Sequence, residues 1–117
     1  MTVCRGIRGA TLADENSAEA IYDATTELLE ALIEANGLEE HSLAAAYFTM
    51  TPDLNAVFPA AAARKLGWNN TALMGATEVA VPGSLPRCIR ILILVNTEKE
   101  PQELVNKYLK GTNTLRS

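Results

Sequence analysis

The run Cys88-Ile89-Arg90-Ile91-Leu92-Ile93-Leu94-Val95 contains no glycine or proline, is rich in Ile, Leu and Val, and carries an arginine inside it. A run of this kind predicts a strand buried on both faces. With a period of two, Cys88, Arg90, Leu92 and Leu94 share one face while Ile89, Ile91, Ile93 and Val95 share the other. A guanidinium does not give up its charge in a protein, so its burial costs on the order of several kcal/mol unless carboxylates or a bound anion compensate. Arg90 is therefore either half of a structural ion pair or the floor of an anion site.

At 117 residues the chain is expected to form one domain, 1–117, large enough for a real core. A net charge of −4 argues against nucleic acid as a general partner. The distribution of charge is more telling than its sum. No Lys or Arg occurs between Gly9 and Ala63, while nine of the fourteen acids fall between Asp14 and Glu40. If the amino-terminal strand lies beside the later ones, an acidic helix face is separated from a cluster of arginines. Such a cluster suits a small polyanion, because Arg grips carboxylates with two parallel bonds. Scattered, solvated surface charge accounts for the same composition.

Cys4 and Cys88 sit in strand-like apolar settings with no metal-type spacing, which predicts buried thiols. The amino terminus has no apolar leader and no run is long enough to span a bilayer, so no membrane partner and a cytoplasmic location are expected. His41 is the only histidine, and without a second His or a nearby Cys it anchors no metal site; it reads as a surface residue.

Taken in order, Val3 to Leu12 predicts a strand in which Gly6 and Gly9 allow a bulge or a close approach, with Arg8 half-exposed between Ile7 and Gly9. Asn16, with Glu19 three residues on, reads as the cap of a helix over 17–36. In that helix Ile21, Leu28, Leu29, Leu32 and Ile33 recur at helical spacing, and Asn36-Gly37 stops it. Ser42 to Thr51 predicts a second strand, followed by a turn in which Asp53 caps one helical turn, and a short helix from Pro59 to Leu66 closed by Gly67. Thr71 to Met74 and Thr77 to Val81 read as two short strands around Gly75, and 82–86 as a turn into the buried strand. Leu104, Val105 and Tyr108 place a last helix over 102–110, and the tail 111–117 is expected to be mobile. The alternation gives an α+β class: a mixed sheet with helices packed on it.

The chemistry-bearing inventory is thin: Arg8, Arg64, Arg90, Arg116, Glu78 and Tyr108, with no phosphate loop, metal-ligand spacing or activated nucleophile. Spacing alone gives a weak anion-pocket signal. Three stretches, Arg5 to Thr11 (RGIRGAT), Thr51 to Ala60 (TPDLNAVFPA) and Arg87 to Ile91 (RCIRI), add to it. Together, and in register with Glu78-Val79, Tyr108-Leu109 and Leu115-Arg116, they resemble the monofunctional chorismate mutases of the trimeric α/β-barrel type.

That resemblance implies a homotrimer with sites at the subunit interfaces, and the intramolecular Claisen rearrangement of chorismate to prephenate on the way to phenylalanine and tyrosine. A pericyclic step implies no cofactor, metal or covalent intermediate. By the same resemblance Arg90 donates to the ether oxygen as charge develops, and Glu78 accepts from the substrate hydroxyl near that cation. Arg8 and Tyr108 grip carboxylate, and Phe58 and Leu115 are apolar walls. Arg64 and Arg116 stand at the mouth and on the closing tail, and Leu73, Met74 and Gly75 line the pocket. Two positions depart from the pattern: Ala61 stands where some members carry a lysine, and Gly75 where a cysteine or another small residue occurs. A rival reading is a trimer resembling the RidA-like proteins, which bind small acids or hydrolyse imines at interface arginines.

Overall fold

The computed structural model describes residues 1–116; the side chain of Arg116 and Ser117 lie outside the described residues. The elements are β1 (Val3–Leu12), α1 (Ala18–Asn36), β2 (Leu43–Met50), α2 (Ala60–Lys65), β3 (Ala72–Thr77), β4 (Cys88–Thr97) and β5 (Lys107–Tyr108). Short 3-10 turns occupy Glu40–Ser42, Pro101–Glu103 and Thr112–Arg116. The five strands form one sheet in the order β3-β2-β4-β1-β5. β4 runs antiparallel to both β1 and β2, while β3 and β5 join the edges in parallel. The α+β expectation of a mixed sheet with helices on it holds.

α1 begins at Ser17, whose side chain accepts from the Ala20 N–H, and ends at Gly37 in the left-handed conformation (φ 62°). The cap is thus Ser17 and not Asn16. Asn16 instead binds the loop after β2, accepting from the N–H groups of Asn55 and Ala56 while donating to the Asn55 side chain. Leu28, Leu29 and Leu32 are fully buried against Ile7, Phe48, Ile91 and Ile93, joined by Trp68 and the small residues of α2. Each such leucine contributes roughly 1.5–3 kcal/mol by leaving water. Gly9 makes the close packing of α1 possible: a Cβ there would lie 3.0 Å from the Cδ1 atoms of Leu28 and Leu32 and 3.1 Å from the Lys107 carbonyl.

Both helices draw on the core under one face of the sheet. β4 is accordingly buried on that side along its length, through Ile89, Ile91, Ile93 and Val95, while on the other side Cys88 is buried, Arg90 and Leu94 are half-exposed and Leu92 is 36% exposed. The expectation of burial on both faces is corrected: among the described residues no helix packs on the other side, and cover there is confined to the start of the strand around Cys88. Cys88 is buried but Cys4 is exposed, since Cys4 falls on the uncovered end of β1.

Two further expectations are corrected. The strand pair around Gly75 is a single strand, β3, and residues 78–81 form no strand. The helix over 102–110 does not form. The buried Asn36 side chain accepts from the Val105 N–H (2.8 Å) and donates to the Val105 carbonyl (2.9 Å), copying a strand partner, and Asn106 accepts from the Arg8 N–H (2.8 Å). These bonds hold the segment extended, so Lys107-Tyr108 pairs with Gly9-Ala10 of β1. Leu109 N–H and the hydroxyl of the buried Thr112 then both donate to the Ala10 carbonyl, at 2.9 and 3.1 Å.

Asp53 caps no helix. Its carboxylate accepts from the Thr51 hydroxyl (2.5 Å) and from the N–H of Arg87 (2.8 Å), while the Thr51 hydroxyl accepts from the N–H of Cys88 (3.0 Å). Arg87 has a positive φ of 52°, which turns the chain out of the preceding loop and into β4. The start of the strand that carries Arg90 is therefore clamped from the turn that follows β2.

Candidate active site

Register decides which side chains meet. Thr49, Arg90, Ala10 and Tyr108 form one row across β2, β4, β1 and β5, and Tyr47, Leu92 and Arg8 form the next. Paired residues point to the same side of a sheet, so all of these face away from the helices. Between Arg90 and Tyr108 stands only the methyl group of Ala10. Over these rows lies a cavity of about 360 Å³ lined by Arg8, Tyr47, Thr49, Glu78, Arg90 and Tyr108, with Leu92 as an apolar wall.

Glu78 enters from the residue just beyond β3, where its N–H donates to the Met50 carbonyl (2.9 Å). Its carboxylate takes the Arg90 fork with both oxygens, Nε to Oε2 at 2.7 Å and Nη2 to Oε1 at 2.8 Å. The Thr49 hydroxyl adds a third donor, to Oε2 at 2.7 Å. Hydrogen bonding from Arg90 first, and then from Thr49, outweighs the opposing effect of burial and holds the Glu78 carboxyl down at about 2. The same pair raises Arg90 above its ordinary value. Both groups are charged at neutral pH, and three side-chain hydrogen bonds confine the carboxylate.

The pair links stability to pH. The folded pKa of Glu78 lies below its unfolded value near 4.5, so its contribution is complete above that value and is lost as pH falls toward 2. The expected result is a melting-temperature gap between wild type and Glu78→Gln at pH 7 that narrows steadily below pH 4.5. A gap independent of pH would contradict this.

A second cavity, of about 280 Å³, lies behind the same ion pair and is lined by Val79, Val81, Leu85, Cys88 and Leu115. Burial pushes the Cys88 thiol up, so it stays protonated and is no nucleophile.

The structure thus assembles Arg8, Glu78, Arg90 and Tyr108 in one cavity and places Leu115 in the adjoining one. Five others lie outside both. Phe58 is 80% exposed in the loop before α2, and Arg64 is exposed on α2. Leu73 packs into the core under the helices. Met74 is 62% exposed on β3, in the row of Tyr47, and Gly75 lies on the exposed edge strand. The Arg116 side chain is outside the described residues. Tyr47 and Thr49 were not singled out in the sequence. Thr49 alternates with Phe48 in a strand whose face is set only by its pairing with β4.

Residues 4–117 match the family described as chorismate mutase type I. The chain is 49% identical to chorismate mutase AroH of Thermus thermophilus over 113 residues, 96% of this chain and 93% of that protein. It is 38% identical to chorismate mutase AroH of Bacillus subtilis (strain 168), again over 96% of this chain and 89% of that one. A solved chorismate mutase from Clostridium thermocellum superposes with a TM-score of 0.91 at 46% identity, covering 94% of this chain and 98% of the other. Sequence and fold agree along nearly the whole length. The chain belongs to the chorismate mutase type I family, a family of isomerases.

Proposed function

We propose that this chain converts chorismate to prephenate by binding the compact conformer of the dicarboxylate and stabilising the charge that develops on the ether oxygen. The observation that carries this reading is the Arg90–Glu78 pair inside a cavity that also holds Arg8 and Tyr108. The rearrangement breaks a C–O bond and forms a C–C bond within one molecule, so it requires neither base nor nucleophile. What accelerates it is geometry and an aimed charge. Glu78 takes Nε and Nη2 of Arg90, which leaves Nη1 for the ether oxygen. Because Glu78 fixes the guanidinium plane, that donor does not have to reorganise as charge builds. Arg8, on the next row, is a cation for a carboxylate, and Tyr108 closes the opposite end of the Arg90 row.

Three copies are proposed to assemble so that each cavity lies between two of them. Support comes from the uncovered face, where Tyr47 and Leu92, which line the cavity, are exposed. It comes also from Phe58, Arg64, Met74 and Gly75, which the family resemblance assigns to the pocket but which lie away from it within one protomer. A neighbouring copy would bring them in and exclude water from the cavity, strengthening its electrostatics.

The test mixes purified protein with chorismate and follows loss of the diene absorbance. The expected result is first-order loss well above the spontaneous rate. A rate equal to the spontaneous one would overturn the mutase reading.

A further inference from the structure

Glu78 lies one residue past the end of β3, its backbone still tied to β2 by the bond to the Met50 carbonyl. What holds its carboxylate is Arg90 and Thr49. The Arg90 fork by itself grips the two oxygens alike, one bond to each. The Thr49 hydroxyl removes that symmetry by donating to Oε2 alone, at 2.7 Å. Each carboxylate oxygen has two lone pairs. Those of Oε2 are both engaged, by Arg90 Nε and by Thr49 Oγ1, whereas Arg90 Nη2 is the one side-chain donor to Oε1.

We propose that Thr49 is a positioning residue: by filling Oε2 it leaves Oε1 as the acceptor for the ring hydroxyl of the substrate, and it keeps Glu78 in place when the substrate draws on Arg90. This rests on the mutase reading and extends it to the orientation of the bound ring. Thr49 is well placed for the task. It is paired directly with Arg90 in the β2–β4 register, so the hydroxyl and the guanidinium rise from neighbouring points of the same row. The other cavity-lining side chains with polar atoms, Arg8, Arg90, Tyr47 and Tyr108, all carry donors, and Glu78 alone is a full acceptor. A substrate alcohol therefore has one strong partner, and which of its oxygens is open decides where the ring sits.

The test compares Thr49→Val, which keeps the shape and loses the hydroxyl, with Thr49→Ser, which keeps the hydroxyl, each in the wild-type and Glu78→Gln backgrounds. Steady-state kinetics and melting temperature are measured for all four, with the two parents. Loss of one hydrogen bond to a charged group corresponds to about a tenfold fall in kcat for Thr49→Val, with KM changed by less than about twofold. Thr49→Ser is expected to recover most of that fall. In the Glu78→Gln background Thr49→Val should cost little more, because the residue through which it acts is already altered. Equal losses in Val and Ser, or a Val loss undiminished in Glu78→Gln, overturn the proposal while leaving the mutase reading intact. Absence of turnover in the wild type fails both. Should Thr49→Val not fold, Thr49→Ala against Thr49→Ser isolates the same hydroxyl, with the same criteria.

Discussion

Arg90→Lys is expected to lower kcat by about 10²–10³-fold, the range seen when one donor to a developing oxyanion is removed. Arg90 serves Glu78 with Nε and Nη2, and in the proposed mechanism Nη1 serves the reacting oxygen, so that one planar group performs two tasks at fixed angles. Lysine has a single nitrogen on a flexible stem. If it pairs with Glu78 it is turned from the ether oxygen, and if it turns to the substrate Glu78 loses its principal partner. The fold should suffer little, because the Arg90 side chain is 42% exposed and the inward residues of β4 are untouched. Steady-state rates with a melting curve check both halves, and a kcat within tenfold of wild type would place the transition-state charge elsewhere.

The second expectation concerns assembly. If each cavity takes Arg90 from one copy and Arg64 from the next, Arg90→Lys and Arg64→Ala are each nearly inactive as pure proteins. Mixed by joint denaturation and refolding, they regain activity, with about one quarter of the sites carrying both native residues on random assortment. The readout is specific activity as a function of mixing ratio, with a maximum at equal amounts. A flat line at the level of the single variants means that Arg64 and Arg90 serve no common site.

Much of the architecture could be read from the sequence. The bounds of β1 were legible because Ile7, Gly9 and Thr11 alternate on the inward face and Asp14 to Asn16 break the strand. α1 was legible because its leucines repeat at the helical period. What failed were segments whose form is decided by a distant partner. Leu104, Val105 and Tyr108 fit a helix, yet the Asn36 side chain, 69 residues away from Val105 in sequence, supplies the strand-like bonds that hold the segment extended. No local pattern records that. The capping error at Asn16 has the same origin, since the side chain that looked free to cap is engaged by the loop at Asn55.

The site divides along the same line. Arg90 stood out because a charge in an apolar strand demands a partner, and that partner is Glu78. Arg8, Glu78 and Tyr108 came from family resemblance, and the sheet brings them to the same cavity. Thr49 and Tyr47 escaped notice because each is an ordinary strand residue until the β2–β4 register sets it beside Arg90 or Leu92.

β4 is the middle strand of five, bonded along both edges, whereas β5 is two residues long and sits at the rim. Amide protons along β4 should accordingly be among the slowest to exchange with solvent, and those of 104–109 far faster. Arg90 is thereby mounted on the stiffest part of the molecule and Tyr108 on one of the softest. Entry and departure of small molecules should follow that gradient, with the β5 margin yielding while the charged floor stays put.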